Sequence, residues 1–305
     1  MLEDEIIIIE EDESGSRLDI YLTERYEELS RSFVSGRIKS GNIRVNDKKV
    51  KSGYILRSGD SIQIDAVDLT PPEILPEDIP LDILYEDEDV AVVNKPKGMV
   101  VHPAPGHYSG TLVNALMYHM GDRLSGINGV ARPGIVHRID MDTSGALLIC
   151  KNDTAHNKIA EQIASHSVNR LYRGIIIGHT KEEAGTCDKP IGRHPNDRKK
   201  MSTNSRKPRN AVTHFRTLES FDGYSYMEFK LETGRTHQIR VHMSDIGHPL
   251  LGDEVYGTPD KKFKLQGQTL HAMTIGFVHP TTNEYMEFSA PLPDYFENLL
   301  KRLRG

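Results

Sequence analysis

The sequence predicts an α+β protein: a large domain built on a mixed, largely antiparallel sheet with helices alongside, preceded by a small α/β domain. Three observations carry this. Apolar segments of strand length follow one another across short turns, as in 211–232 around Asp222-Gly223 and again in 274–290, which is the pattern of antiparallel neighbours. Helical patterns are interspersed at 111–120, 153–163 and 293–303. Pro71, Pro72, Pro76 and Pro80 crowd into one acidic stretch, where missing amide donors break helix and ladder alike. The predicted division is an N-terminal domain over 1–68 with its core at about 15–65, an acidic Pro-rich linker over 69–84, and a large domain over 85–305.

In the N-terminal part, RLDIYLTERY (17–26) places Leu18, Ile20, Tyr21 and Leu22 for a first helix. Ser30 is a candidate cap for a second, with Phe33, Val34 and Ile38 on one face and Gly41 as its stop. IRVNDKKV then reads as strand, Asn-Asp turn and strand, and Ser58-Gly59-Asp60 turns the chain into a last strand. Beyond the prolines, DVAVVNKPKG gives a buried strand over 90–93 ending in a turn, and TLVNALMYHM a helix. ALLICKN is a strand, and Asp153 or Thr154 caps the helix that follows. RLYRGIII (170–177) is another strand, and TGRTHQIRVHMSDIG runs as a short helix to Gly247.

Composition narrows the function. The length of 305 residues suits one large and one small domain. Cys150 and Cys187 lack CxxC spacing, and the apolar run Ile6–Ile9 is too short to cross a bilayer. A reducing, cytoplasmic setting without membrane attachment is the expectation. The net charge of -6 conceals two basic patches. Residues 31–57 carry eight Lys or Arg against Asp47 alone, and residues 187–210 carry eight against Asp188 and Asp197. Such density suits a polyphosphate, because neutralising phosphates releases condensed counterions.

Residues 134–145 read GIVHRIDMDTSG, an apparent strand running into a polar turn that sets Asp140 and Asp142 beside Arg138. Alone, this is a solvated bend or a pair of carboxylates for acid–base work. His237 and His242 are five apart, on different faces of a helix, which argues against a metal pair.

The remaining motifs decide between these readings. KPKGMVVHP (95–103), HRIDMDTSG (137–145), RLYRGII (170–176), TGRTHQIRVH (233–242), GHPLLGDEVYG (247–257) and LHA (270–272) occur in this order. Together they resemble the RluA-type RNA pseudouridine synthases over about residues 80–300. Ile139 stands where that family usually has Leu, and Met141 where Lys is common, so one charge beside Asp140 is missing. Residues 15–65, with SRSFVSGRIKSGNIRVNDKKV and RSGDSIQI, resemble the small RNA-binding domain named after ribosomal small-subunit protein four.

These resemblances imply a site and a partner. Asp140 matches the catalytic carboxylate, Arg240 the arginine that pairs with it, and Tyr172 the tyrosine packed on the target base. Arg138 matches the arginine that approaches the gap left by a flipped nucleotide. RNA contacts are implied for Arg31, Arg37, Lys39 and Arg44, for Lys95 on the rim of the groove, and for Arg193, Arg198, Lys199 and Lys200 in the basic loop. No metal, nucleotide or other cofactor is implied, since the isomerisation needs neither redox chemistry nor energy input. The implied substrate is uridine in large-subunit ribosomal RNA, in a stem-loop. Transfer RNA, a nucleoside or glycoside hydrolase using Asp140 and Asp142, and a non-catalytic RNA assembly factor are the alternatives.

Overall fold

The protein was analysed as a computed structural model, which describes residues 4–26, 29, 31–66, 74–103, 107–127, 132–197, 200–259 and 262–305. Two compact units divide the chain, Met1–Glu73 and Ile74–Gly305. The first contains β1 (Glu5–Ile8), α1 (Leu18–Arg25), α2 (Arg31–Ser40), β2 (Ile43–Val45) and β3 (Ser61–Ile64). Its antiparallel sheet has the order β1-β3-β2. Leu18 and Leu22 of α1 and Val34 and Ile38 of α2 close over Ile7, Ile43 and Ile62.

Two features of this unit depart from the sequence reading. Asn46 and Asp47 do form a turn with both residues in the left-handed region, at φ 52° and 61°, but the strand expected after it is a single bridge between Val45 and Lys48. The partner of β2 is instead β3. The third strand, β1, lies in the acidic N-terminus, where Ile7 and Ile9 point inward while Ile6 is 67% and Ile8 57% exposed. Ser30 lies outside the described residues.

The second unit contains β4 (Ile83–Glu86), β5 (Val90–Lys95), α3 (Leu112–Met120), β6 (Ser144–Cys150), α4 (Asp153–Ala164) and β7 (Asn169–Ile177). There follow β8 (Ala184–Asp188), β9 (Gly192–Arg193), β10 (Met201–Ser202), β11 (Val212–Phe221), β12 (Tyr224–Leu231), α5 (Gln238–Asp245), β13 (Leu270–Val278), β14 (Tyr285–Ser289) and α6 (Asp294–Arg304). Its main sheet has the order β4-β5-β6-β13-β7-β12-β11-β8, with β14 also on β13. Among the described residues β6 and β13 pair in parallel, and the other ladders of this sheet are antiparallel. The fold is therefore α+β with a mixed, largely antiparallel sheet.

Strand alternation sorts the core onto two faces. Ala91 and Val93 of β5 and Leu147 and Ile149 of β6 pack with α3 and α5. Val90, Val92, Leu148 and Cys150 pack with α4 on the opposite face. Thr111 caps α3 in a reciprocal pair with Asn114. Asn152, and neither Asp153 nor Thr154, caps α4, its Oδ1 accepting from the Ala155 amide at 2.8 Å. The unit boundary cuts through the expected linker. Residues 67–73 are outside the described set, whereas 74–84 are strapped to the second unit. There Asn114 donates to the Leu75 carbonyl at 2.8 Å, Glu77 accepts from the Gly110 amide, and Leu81 packs on the core.

Candidate active site

Among the described residues the segment carrying Asp140 is irregular and joins the sheet through a bridge between Ile135 and Ile149. Side chains also hold it. His137 Nε2 accepts from the Leu148 amide at 3.0 Å, which requires that nitrogen to be unprotonated. Burial, assisted by the charge of Arg170, pushes the His137 pKa down to about 3. After Asp140 the chain turns, the Thr143 amide donating to the Asp140 carbonyl at 3.0 Å. It then enters β6, where the Ser144 hydroxyl meets His271 Nδ1 at 2.9 Å and His271 Nε2 meets the Ala290 carbonyl at 3.1 Å. Gly145 is required here: its φ is +113°, and a Cβ would fall 2.2 Å from the Ala272 carbonyl oxygen on β13.

Asp140 faces a buried arginine. Arg240, on α5, donates through Nη1 to Asp140 Oδ2 at 3.1 Å. Its Nε and Nη2 grip the two oxygens of Asp253 at 2.7 and 2.9 Å. Asp253 is fully buried and Arg240 is 6% exposed. Burial works against the charge on Arg240, but hydrogen bonds and charge from Asp253, then Asp140, outweigh it and raise the pKa above the ordinary arginine value. The guanidinium is thus permanently charged and fixed by Asp253, with Nη1 directed to Asp140. His237 adds a second neighbour, its Nε2 3.8 Å from Asp140 Oδ1.

A cleft opens beside this group, lined by Asp140, Arg138, Tyr172, Arg170, Leu231 and Leu270 among others. Arg170 and Tyr172 sit two apart on β7, so they share one face of the strand. Tyr172 is buried, and burial raises its pKa, with Arg170 opposing and the charge of Asp140 adding. It is a neutral phenol held beside a carboxylate. Arg138 is exposed and also borders a second hollow formed with Val101, Met141 and Asp142. Asp142 is turned toward Gly267, so close that a Cβ there would meet its Oδ2 at 2.5 Å. The structure therefore brings Asp140, Arg240, Tyr172 and Arg138 to one place.

The implied RNA contacts divide sharply. Lys95 is corrected: it is fully buried rather than on a groove, because its Nζ donates to the carbonyls of Pro96 (2.8 Å), Met99 (2.8 Å) and Met141 (3.0 Å). It staples the Lys-Pro-Lys-Gly turn to the loop after Asp140. Burial pushes its pKa down to about 7, the charges of Asp142 and Asp140 opposing. In the first unit Lys39 is exposed, Arg31 pairs with Asp19 at 2.9 Å, and Arg44 pairs with Asp65 at 2.6 Å. Arg37 donates to the Asp65 carbonyl at 3.1 Å. In the basic loop Arg193 is exposed on β9 and Lys200 is half-buried, while Arg198 and Lys199 lie outside the described residues.

Sequence reasoning passed over Asp253, Tyr256, Arg170 and the role of His237. Asp253 and Tyr256 stand within the quoted GDEVYG segment, and Arg170 two residues before Tyr172, so strand periodicity alone would have placed Arg170 in the cleft. His242 is turned elsewhere, with Nδ1 on the Thr213 hydroxyl and Nε2 on the Lys189 carbonyl, both at 2.9 Å.

Known proteins resemble this chain in sequence and fold. The family model described as RNA pseudouridylate synthase matches residues 89–245, and the S4 domain matches residues 16–62. The chain is 50% identical to the uncharacterized RNA pseudouridine synthase YlyB of Bacillus subtilis (strain 168), over 98% of this chain and 97% of that protein. It is 45% identical to the ribosomal large subunit pseudouridine synthase D of Zymomonas mobilis, over 98% of this chain and 97% of that one. The solved structure of human RNA Pseudouridylate Synthase Domain Containing 1 superposes with a TM-score of 0.57 at 27% identity, covering 74% of this chain and 95% of its own. A carboxylate gripped by a buried arginine beside a buried tyrosine, on a fold and sequence shared with these proteins, places the chain in the RNA pseudouridylate synthase family, whose members are isomerases acting on uridine in RNA.

Proposed function

We propose that the protein converts uridines of large-subunit ribosomal RNA, in a stem-loop, to pseudouridine, with Asp140 as the catalytic carboxylate. The observation that carries the site assignment is the Arg240–Asp140 contact at 3.1 Å with Tyr172 lining the same cleft. The bond from N1 to the ribose breaks, the base rotates, and a bond from C5 to the same ribose carbon replaces it. The proton on C5 leaves, and N1 gains one. Asp140 attacks the sugar or takes its proton, and its charge stabilises the cationic character at the anomeric carbon. Arg240 holds and aims the carboxylate. Tyr172 packs on the base, and Arg138 enters the space the flipped nucleotide leaves; a loop uridine costs less to extrude than a paired one.

The large-subunit target rests on the names of relatives, ribosomal large subunit pseudouridine synthases D at 40–45% identity over nearly the whole chain, and on the two basic patches. A cytoplasmic site of action is in keeping with that target; among the described residues no helix is long and apolar enough to cross a membrane. The deciding experiment is product analysis on uridine-containing RNA: pseudouridine supports the reading, and free uracil or unchanged RNA rejects it. Mapping pseudouridine in cells lacking the protein tests the target. Loss of transfer RNA sites with large-subunit RNA unchanged would redirect the assignment.

A further inference from the structure

Met201, Tyr256 and His237 form a hydrogen-bond chain that ends beside Asp140. The Met201 amide on β10 donates to the Tyr256 hydroxyl oxygen at 2.8 Å. That hydroxyl lies 2.8 Å from His237 Nδ1. That hydroxyl, already accepting from an amide, can send its own proton to the ring nitrogen or accept from it with its second lone pair. A ring nitrogen that accepts leaves the imidazole proton on the other one. In the first arrangement His237 is the Nε2–H tautomer, and Nε2 lies 3.8 Å from Asp140 Oδ1. This is the oxygen Arg240 leaves open, since Arg240 donates to Oδ2.

Both ends of the chain are held. His237 has a left-handed backbone, φ 57°, a conformation rare for a side-chain-bearing residue and kept only where the surroundings impose it. Tyr256 is anchored by Asp253, whose Oδ1 accepts from the Val255 and Tyr256 amides at 3.0 and 3.1 Å. The Arg240 guanidinium lies 5.1 Å over the Tyr256 ring. Met201 in turn pairs with Arg193 across the β9–β10 hairpin, inside the basic segment 187–210.

We propose that His237 is a positioning residue for Asp140, and that the β9–β10 hairpin sets its tautomer through Tyr256, so that seating RNA on the basic segment also aims the carboxylate. The inference rests on the pseudouridine synthase reading. If the Met201 amide is withdrawn, the Tyr256 proton is free to turn away and the imidazole proton to move to Nδ1. The Nε2 lone pair then faces Asp140 Oδ1, a repulsive contact in place of a donor. The relay needs a neutral ring. Burial lowers the His237 pKa; Asp140 and Asp253 favour the cation, while Arg240 and Arg138 oppose it.

The test uses the full chain and an RNA that the wild type modifies. Single-turnover rate at saturating RNA and equilibrium affinity are measured for Tyr256→Phe, His237→Phe and the double variant. Tyr256→Phe keeps the ring over Arg240 and removes only the hydroxyl; thermal melting checks that it folds. Expected is a rate loss of about tenfold, the equivalent of one hydrogen bond, with affinity unchanged, and a double variant no slower than His237→Phe. Additive losses, an unchanged Tyr256→Phe rate, or affinity falling in step with rate would overturn the relay. Nitrogen chemical shifts of labelled histidine read the tautomer without any turnover: Nε2–H in the wild type and a shift toward Nδ1–H in Tyr256→Phe are expected. Nδ1–H in the wild type overturns the relay. A wild type that makes no pseudouridine, yet shows Nε2–H at His237, refutes the catalytic reading and leaves the hydrogen-bond chain standing.

Discussion

Arg44 of the first unit and Arg240 and Lys95 of the second live under opposite electrostatic conditions. In the first unit Arg44 meets Asp65 with both side chains more than a third open to solvent, at 35% and 41%. In the second, Arg240 lies between Asp140 and Asp253 with its side chain 7% exposed, and Lys95 is sealed against three carbonyls. An exposed pair contributes about 0–1 kcal/mol, so a phosphate can take the place of Asp65 at little cost. Breaking a buried pair costs about 3–5 kcal/mol, because the surviving charge has no solvent to turn to. The exposed cations are therefore exchangeable and suited to a polymer that comes and goes. The buried ones hold geometry, which is why Arg240 and Lys95 make poor phosphate contacts.

The contrast is broken most severely at Asp140. Asp140→Asn keeps the volume but removes the nucleophile or base, and single-turnover rate should fall more than about 10⁴-fold while RNA affinity, measured by filter binding, stays near wild type. Near-normal turnover would remove Asp140 from the chemistry. Next is Asp253→Ala, which strands a buried guanidinium; urea denaturation should show a loss of about 3–5 kcal/mol. A cost below about 1 kcal/mol, the level of an exposed pair, would mean that the Arg240 site does not behave as buried.

Lys95 sharpens the comparison through pH. Folding lowers its pKa from 10.5 to about 7. Between those values the unfolded chain holds a proton that the folded chain has released, so stability rises with pH across that window. Denaturation at stepped pH should show the rise in the wild type and a flatter profile in Lys95→Met. That variant should also lose about 2 kcal/mol at pH 7 by leaving buried carbonyls unpaired. Equal slopes for the two proteins would assign the pH dependence to other groups. The smallest effect belongs to Arg44→Ala: a stability change under about 1 kcal/mol with a salt slope of RNA affinity shallower by about one unit. An unaltered slope would mean that Arg44 stays on Asp65 in the complex.

Much of this was legible in the chain. The helices at 18–25, 31–40, 112–120 and 294–304 and the β11–β12 hairpin follow from apolar periodicity and turn residues, which are local properties. β1 was hidden because four isoleucines between acidic clusters carry no turn that names their partner; only pairing with β3 makes them a strand. Lys95 was misplaced for a related reason. A lysine in a Lys-Pro-Lys-Gly turn reads as a solvent-facing cation, and nothing in its neighbours announces that the Met141 carbonyl, 46 residues on, will close over it.

By itself the sequence determined the fold class and the family, and it singled out Asp140, Tyr172 and Arg240 as the proposed site, because ordered motifs record which residue types recur together. The tertiary structure alone decided which cations are free and which are clamped. It brought Arg240 to Asp140 across 100 residues of chain, set Asp253 behind it, and turned His237 Nε2 toward the open carboxylate oxygen. Charge, tautomer and aim depend on burial and on partners distant in the chain, and a linear pattern of residue types carries neither.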